Sequence, residues 1–159
     1  MSQPNLSPRG KYFEEFAPGL QIATAGRTIT EADVVNFAGL SGDYNQIHVD
    51  SAYAQKSLFG QRVAHGLLVV SIALGLVVQT GVMEGTILAF REINELKFSK
   101  PVFLGDTIHA ILEVGETKDM HRLGGGLVVI KVKIVNQDGE IVIRGVWTAL
   151  IASRLSGNG

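Results

Sequence analysis

Residues Ala64 to Thr80 have the sequence AHGLLVVSIALGLVVQT, and the part from Leu67 to Val78 contains one hydroxyl group and no charge. A helix that is apolar on every side is either buried in a protein or spans a membrane. This segment would form a helix about 25 Å long, whereas a membrane span needs about 20 apolar residues. It therefore predicts a central helix buried on all sides. A buried strand is the alternative, because several of its residues are β-branched.

The chain after this helix has the composition of β-strands. Alternating polar and apolar side chains from Lys131 to Val135 are typical of a half-buried strand. Asn136–Gly139 predicts a hairpin turn, and Gly124–Gly126 predicts a flexible turn. The predicted strands are Thr86–Phe98, Asp106–Thr117, Leu127–Val135 and Glu140–Ala152.

The chain before the central helix supplies one more strand and two shorter helices. Gln21–Thr28 predicts the strand. Thr30–Gly39 predicts a helix, with Thr30 as its N-cap and Asp33 in a capping-box position. Asp50–Lys56 predicts a short helix. Together the elements predict an α+β domain in which an antiparallel sheet wraps one buried helix.

Length and composition limit the class of protein. The 159 residues suit one domain, and 46% apolar residues suffice for a core. We expect a flexible arm over residues 1–10, the domain over 11–154 and a flexible tail over 155–159. A net charge of −1 argues against nucleic acid or an anionic membrane as the main partner. The absence of cysteine excludes disulfides, and the start of the chain lacks the apolar core of a signal peptide, so we expect a cytoplasmic protein.

The segment Ser41–His48, SGDYNQIH, brings a carboxylate, a carboxamide and an imidazole together directly after a predicted helix. Asp43 and His48 suit general acid–base catalysis, which typically contributes roughly 100- to 10,000-fold in rate. Asp and Asn beside glycine are also ordinary turn residues. The catalytic interpretation is favoured because His48 follows closely and because a second pair, His65–Gly66, opens the apolar run.

Residues 42–48 resemble the hydratase signature of the MaoC-like family, which includes R-specific enoyl-CoA hydratases and 3-hydroxyacyl-thioester dehydratases. The family pattern is roughly Gly-Asp-x-Asn-Pro-(Ile/Leu)-His, and this chain has Gln46 where the family usually has proline. Proline would stiffen the loop by fixing its backbone angle. The resemblance continues through Arg62–Gly66 and Phe98–Asp106 and covers residues 16–154.

This resemblance implies a hotdog fold and the reversible hydration of a trans-2-enoyl thioester to the (R)-3-hydroxyacyl thioester. It implies that Asp43 activates the water and that His48 shares or delivers the proton, and the assignment of base and acid stays open. Gly66 would hold the thioester oxygen with its amide, because the first turn of a helix has unpaired N–H groups and favours negative charge. A packing glycine is the alternative.

Further residues are predicted to bind substrate. Asn45 would orient the loop or the water, or it would only form an Asx turn. The cations near Pro101 would meet the phosphates of coenzyme A, or they would form a solvated strand face. His65 beside an apolar helix is more often structural. The complete predicted set is Asn45, His65, Leu67, Arg91, Lys97 and Lys100.

No resident metal or cofactor is expected, because the four histidines lack a metal-binding spacing and coenzyme A would be part of the substrate. The expected partner is an acyl-CoA or acyl carrier protein thioester. We also expect a homodimer or a dimer of dimers, because a short chain with one wrapped helix leaves a sheet edge open. Two alternatives stay open. They are a hotdog thioesterase, which needs no histidine five residues after the aspartate, and a non-catalytic acyl-CoA-binding module.

Overall fold

Helix α4, Gly66–Gln79, is the central helix of the computed structural model, which describes residues 8–154. Its buried side chains form much of the hydrophobic core together with the inward-facing side chains of the sheet. The predicted central helix is therefore confirmed, with ends that lie within two residues of those expected. The buried residues of α4 are Leu68, Val69, Val70, Ile72, Ala73, Leu76 and Val77.

One face of α4 is exposed in the single chain. The prediction that the helix is buried on every side is therefore wrong for the single chain. Leu67 is 58% exposed and Val78 is 60% exposed. Ser71 is exposed between them, and its hydroxyl donates to the carbonyl of Leu67 (2.7 Å). Spacings of four and seven residues place all three side chains on one side of a helix. Apolar composition does not tell whether the covering surface belongs to the same chain.

The four long strands after α4 are confirmed, and every pairing between strands is antiparallel. They are β3 (Ile87–Phe98), β4 (Thr107–Met120), β5 (Gly125–Val135) and β6 (Ile141–Ala152), and they lie in the sheet in the order β4-β5-β6-β3, with β3 as an edge strand. Inward residues of β4 and β5 alternate with outward ones along each strand, so one sheet face covers the core.

The single strand predicted over Gln21–Thr28 is wrong, because this segment forms two short strands, β1 (Gln21–Ala23) and β2 (Arg27–Thr28). Both pair with β4. Between them the amide of Ala110 donates to the side-chain hydroxyl of Thr24 (2.9 Å). A side chain thus replaces the backbone acceptor, which interrupts the regular ladder while the segment stays attached to β4.

The predicted flexible turn at Gly124–Gly126 is also wrong in part. Gly124 is the turn residue, with a φ of 74°. Gly125 and Gly126 are instead the first residues of β5. A Cβ atom at Gly125 would collide with the carbonyl oxygen of Ile151, and one at Gly126 would collide with the ring of Phe13. These two glycines are therefore explained by close packing.

The helices before α4 position the residues of interest. Helix α1, Glu31–Ser41, begins with the predicted capping box of Thr30 and Asp33 and runs past the predicted stop at Gly39 to Gly42. Helix α3, Ser51–Gln55, is capped by Asp50. Between them lies a short helix that the sequence pattern did not predict, α2 (Gln46–Val49).

The predicted arm and tail fall mainly on residues 1–7 and 155–159, which lie outside the described residues, so the domain boundaries stay predictions. Residues at the start of the described chain lie against the turn that follows α4. The amide of Gly10 donates to the carbonyl of Glu84 (2.9 Å). Within residues 8–154, none of the helices combines the length and the apolar character needed to cross a membrane.

Candidate active site

The loop after α1 presents Asp43 through a series of local hydrogen bonds. Gly42 ends the helix in the left-handed conformation, with a φ of 76°. The carboxylate Oδ1 of Asp43 accepts from the amide of Asn45 (3.2 Å), and the Asn45 side-chain oxygen accepts from the amide of Ile47 (3.2 Å). Asn45 therefore forms the Asx-type cap of α2 in this structure. The Asp43 side chain remains 51% exposed, with Oδ2 directed toward His48.

His48 lies on α2, and its imidazole is buried. Its Nδ1 is 2.7 Å from the carbonyl oxygen of Val63, so Nδ1 carries a proton and donates to it. The remaining nitrogen, Nε2, lies 3.9 Å from Oδ2 of Asp43. That distance is too long for a direct hydrogen bond. When His48 is neutral, Nε2 and Oδ2 are two acceptors 3.9 Å apart, which is close enough for one water beside them to donate to both.

The environment of His48 favours this neutral form. Burial lowers the pKa of His48 below its ordinary value, and the neighbouring imidazole of His65 lowers it further. The hydrogen bond to Val63 and the charge of Asp43 act in the opposite direction, but the net direction is downward. At neutral pH the imidazole therefore offers an unprotonated Nε2 to a bound water.

His65 is 2% exposed and lies immediately before α4. Its Nε2 donates to the backbone carbonyl of Asp43 (2.9 Å), and its ring stacks on that of His48 with centroids 3.8 Å apart. Among the described residues, Asp43, His48 and His65 are the group whose ligand atoms lie close enough to consider a metal, all within 4.8 Å of one another. One nitrogen of each ring is already engaged by a carbonyl, and stacked rings do not converge on one point. The absence of a resident metal stays a prediction.

An apolar pocket of about 420 Å³ lies beside this group. His48 and Gly66 contribute to its wall, and the rest is largely apolar, including Val69, Phe98 and Ile143. Gly66 is the first residue of α4, so its amide belongs to the unpaired first turn. The structure thus brings Asp43 and His48, a helix N-terminus and an apolar cavity of ligand size into one place.

Comparison with known proteins establishes the family. A family model described as a MaoC like domain matches residues 15–136. The chain belongs to the MaoC-like family. It is 45% identical over 112 residues to Protein MaoC of Klebsiella aerogenes, covering 70% of this chain and only 33% of that protein. It is 34% identical over 149 residues to an (R)-specific enoyl-CoA hydratase of Rhodospirillum rubrum, covering 90% and 93% of the two chains.

Solved structures agree with this assignment. A protein of Archaeoglobus fulgidus described as a monoamine oxidase regulatory protein has a TM-score of 0.84 and 39% identity, covering 91% of this chain and 95% of that one. A Mycobacterium tuberculosis protein with a double hotdog fold matches with a TM-score of 0.80 at 19% identity, covering 91% and 44%. The second match concerns the fold alone. The expected hotdog fold is confirmed.

The departure of this chain from the MaoC-like signature has a local explanation. Gln46 is the first residue of α2. Proline suits the first position of a helix because its missing amide hydrogen would be unpaired there. The chain before Gln46 is already held by the caps of Asp43 and Asn45. The loop therefore keeps its shape through side-chain hydrogen bonds without proline.

The residues predicted to bind substrate divide into those at the pocket and those elsewhere. Lys100 lines the pocket and forms an ion pair with Glu140. Lys97 lies in a separate groove on the outer sheet face with Lys131, Lys133 and Arg144. Leu67 and Arg91 do not line the pocket, and Leu67 lies on the exposed face of α4. The substrate contacts of all these residues stay predictions.

Three residues of the MaoC-like site were not identified from the sequence. Val63 supplies the carbonyl that orients His48. Arg62 donates from Nε to the carbonyl of His48 (2.6 Å) and pairs with Glu31 (2.8 Å), which ties α2 to α1. Phe98 lies directly against Gly66. The segments Arg62–Gly66 and Phe98–Asp106 carry the family resemblance, and that was the available signal.

Proposed function

We propose that this protein is a hydro-lyase that reversibly hydrates a trans-2-enoyl thioester, such as an enoyl-CoA, to the (R)-3-hydroxyacyl thioester. The observation that carries this proposal is the 3.9 Å separation of Asp43 Oδ2 and His48 Nε2 beside an apolar pocket. The relative of Rhodospirillum rubrum with this activity in its name aligns over 93% of its length, which supports the same reaction.

The chemistry follows from two acceptors that share one water. The water donates one hydrogen to Asp43 Oδ2 and the other to His48 Nε2, which directs an oxygen lone pair toward C3 of the enoyl group. As the C3–O bond forms, one O–H bond breaks and its proton passes to the pair. The same pair then returns one proton to C2. Water is thereby added across the double bond, and both side chains recover their starting protonation states.

The negative charge that develops on the thioester oxygen must be stabilised by a hydrogen-bond donor. The amide of Gly66 belongs to the first turn of α4, where the helix dipole also favours negative charge. Donors of this kind contribute about 3 kcal/mol to the transition state in well-studied enzymes. Gly66 and His48 line the same pocket, which supports a substrate that touches both.

The exposed apolar surfaces support a homodimer, or a dimer of dimers. Strand β3 is an edge strand with several exposed apolar side chains, and the exposed face of α4 carries two more. An unpaired edge of this kind is usually paired or covered. A second copy that continues the sheet at β3 would cover both surfaces. The exposed residues on β3 are Ile87, Leu88, Phe90, Ile93 and Phe98.

The deciding experiment is the loss of ultraviolet absorbance of crotonyl-CoA, whose conjugated thioester disappears on hydration. The expected result is absorbance loss that depends on the protein, with (R)-3-hydroxybutyryl-CoA as the product by chiral analysis. A parallel assay for free thiol detects the thioesterase alternative. Thiol release without hydration would replace the proposal by that alternative, and tight binding without turnover would replace it by a binding module.

A further inference from the structure

His65 is held between three elements of the site. Its ring stacks on His48 of α2, with an angle of 26° between the ring planes. On another side it meets the ring of Phe37 of α1, with centroids 4.9 Å apart. Its Nε2 donates to the carbonyl of Asp43 (2.9 Å). One side chain therefore contacts both members of the acid–base pair.

Neither packing nor helix capping explains an imidazole at this position. His65 is the N-cap residue of α4 but makes no side-chain capping hydrogen bond. Ser, Thr, Asp or Asn would cap the helix. Its Nδ1 is buried and has no hydrogen-bond partner among the described residues. A phenyl ring would fill the space without that unpaired nitrogen, but it could not donate to Asp43.

The pocket gives a further indication. His48, Ala64 and Gly66 line it, whereas His65 is not part of its wall. The side chain is turned away from the cavity toward the loop after α1. Its contacts are thus with the acid–base pair and not with the space for the substrate.

We propose that His65 is a positioning residue, which fixes the carbonyl of Asp43 and the ring plane of His48 so that both face one water. This inference rests on the proposed hydratase function. Because a shift of about 1 Å in a catalytic group costs about 100-fold in rate in known cases, loss of either contact is expected to reduce turnover. Binding of the acyl chain is expected to remain.

The charged and titratable groups around His48 influence its pKa. Asp43 faces its Nε2, His65 stacks on its ring, and Arg62, paired with Glu31, bonds to its backbone carbonyl. Of these, His65 acts to lower the pKa of His48. Replacement of His65 by a side chain that takes up no proton is therefore expected to raise the pKa of His48.

Two variants separate the two contacts. His65→Phe keeps a ring that stacks on His48 and loses the donor to Asp43. His65→Gln keeps an amide donor with a reach similar to Nε2 and loses the stacked ring. His121→Gln is the matched control, because His121 is exposed on the turn before β5. Melting temperature and circular dichroism establish that each variant is folded.

The measurements are kcat and KM for crotonyl-CoA and an NMR titration of the His48 ring. We expect kcat to fall by about 10- to 100-fold in both His65 variants with little change in KM. The titration midpoint of His48 should move upward in both, while His121→Gln changes neither quantity. A folded His65→Phe variant with normal kcat would overturn the proposal. A kcat loss with an unmoved His48 titration in both variants would also overturn it.

The titration keeps this inference separate from the proposed reaction. If the unaltered protein hydrates no enoyl thioester, the proposed function fails. The NMR arm then still decides whether His65 controls His48. If His65→Phe does not fold, the same two readouts on His65→Gln decide the outcome.

Discussion

The ring of Phe98 lies against Gly66 at the first turn of α4. A Cβ atom at residue 66 would lie 2.6 Å from Cδ1 of Phe98, closer than real side chains approach. A side chain at position 66 would therefore displace the Phe98 ring, whether or not the amide of Gly66 also holds the thioester oxygen. The pocket wall at the helix N-terminus is built from a glycine on α4 and an aromatic ring from the end of β3.

This contact changes the expectation for Gly66→Ala. Helix propensity alone would favour alanine by about 1 kcal/mol. The added methyl group must displace the Phe98 ring, so we expect a lower melting temperature and a large loss of turnover. The double variant Gly66→Ala/Phe98→Ala should recover the melting temperature without recovering turnover, and Phe98→Ala alone is its control. Recovery of turnover in the double variant would show that the methyl group does not block the thioester oxygen.

The proposed acid–base pair of Asp43 and His48 gives the most direct prediction. Asp43→Asn removes a charge and His48→Gln removes the imidazole, and each should lower kcat by at least about 100-fold. Asp43 is half exposed and its side-chain hydrogen bond is local, so the melting temperature of Asp43→Asn should change little. Hydration of crotonyl-CoA and the melting temperature are measured on the same preparations. Near-normal activity in either folded variant would remove that residue from the pair.

The long elements of this fold could be predicted because their signals are local. The apolar run of α4, the alternation along β5 and the capping box of Thr30 and Asp33 each depend on residues close together in sequence. The proximity of Asp43 and His48 was predictable for the same reason, since only five positions separate them in the sequence. Helix α2 was not, because four residues show no periodicity.

Contacts between distant residues could not be predicted. The hydrogen bond from His48 to the carbonyl of Val63 joins residues 15 positions apart and involves a backbone atom, which leaves no trace in composition. The contact of Phe98 with Gly66 depends on how the end of β3 passes α4. The exposed face of α4 was missed because hydrophobicity does not distinguish an intramolecular neighbour from a partner subunit.

The lowered pKa of His48 predicts how activity depends on pH. Burial moves the pKa below the ordinary histidine value of about 6.5, and the neutral ring is the form that accepts a proton from water. We therefore expect kcat/KM to fall on the acid side with a midpoint below 6.5. An acid midpoint above 6.5 would mean that the neutral form of His48 is not the one required.

The same shift predicts how stability depends on pH. As the pH falls below about 6.5, the unfolded chain takes up a proton at this histidine before the folded chain does, because the folded pKa is lower. The contribution of His48 to stability is thus complete above pH 6.5 and decreases as the pH falls through the folded pKa. In urea unfolding over this pH range, the free energy of unfolding should decrease less on acidification in His48→Gln than in the unaltered protein. An equal decrease of the free energy of unfolding in both proteins would contradict the lowered pKa of His48.

The exposed face of α4 gives a test of the proposed dimer. Val78→Asp places a charge on this face, and we expect it to give a chain of 17.0 kDa by light scattering where the unaltered protein gives twice that mass. Leu123→Asp is the control, since Leu123 is also exposed but lies on the turn between β4 and β5, and β6 separates β5 from β3 in the sheet. A monomeric unaltered protein at micromolar concentration would contradict the dimer, and a dimeric Val78→Asp would place the interface elsewhere.

Substitution of two lysines, Lys100 and Lys97, tests where the phosphates of coenzyme A bind. Lys100 lines the pocket beside Glu140, whereas Lys97 lies in the groove on the outer sheet face. Because a hydrogen bond to a charged group contributes about 1.5–3 kcal/mol, Lys100→Ala should raise KM for crotonyl-CoA by about tenfold or more.

The matched substrate is crotonyl-pantetheine, which lacks the phosphates and should show no such rise. Lys97→Ala is the matched variant. A rise in KM confined to Lys100→Ala would place the phosphates at the mouth of the pocket, because that lysine alone of the two lies there. An equal rise in Lys97→Ala would place them over the outer groove. No phosphate-dependent rise in either variant would remove both lysines from coenzyme A recognition and leave the thioester itself as the part of the substrate that this chain binds.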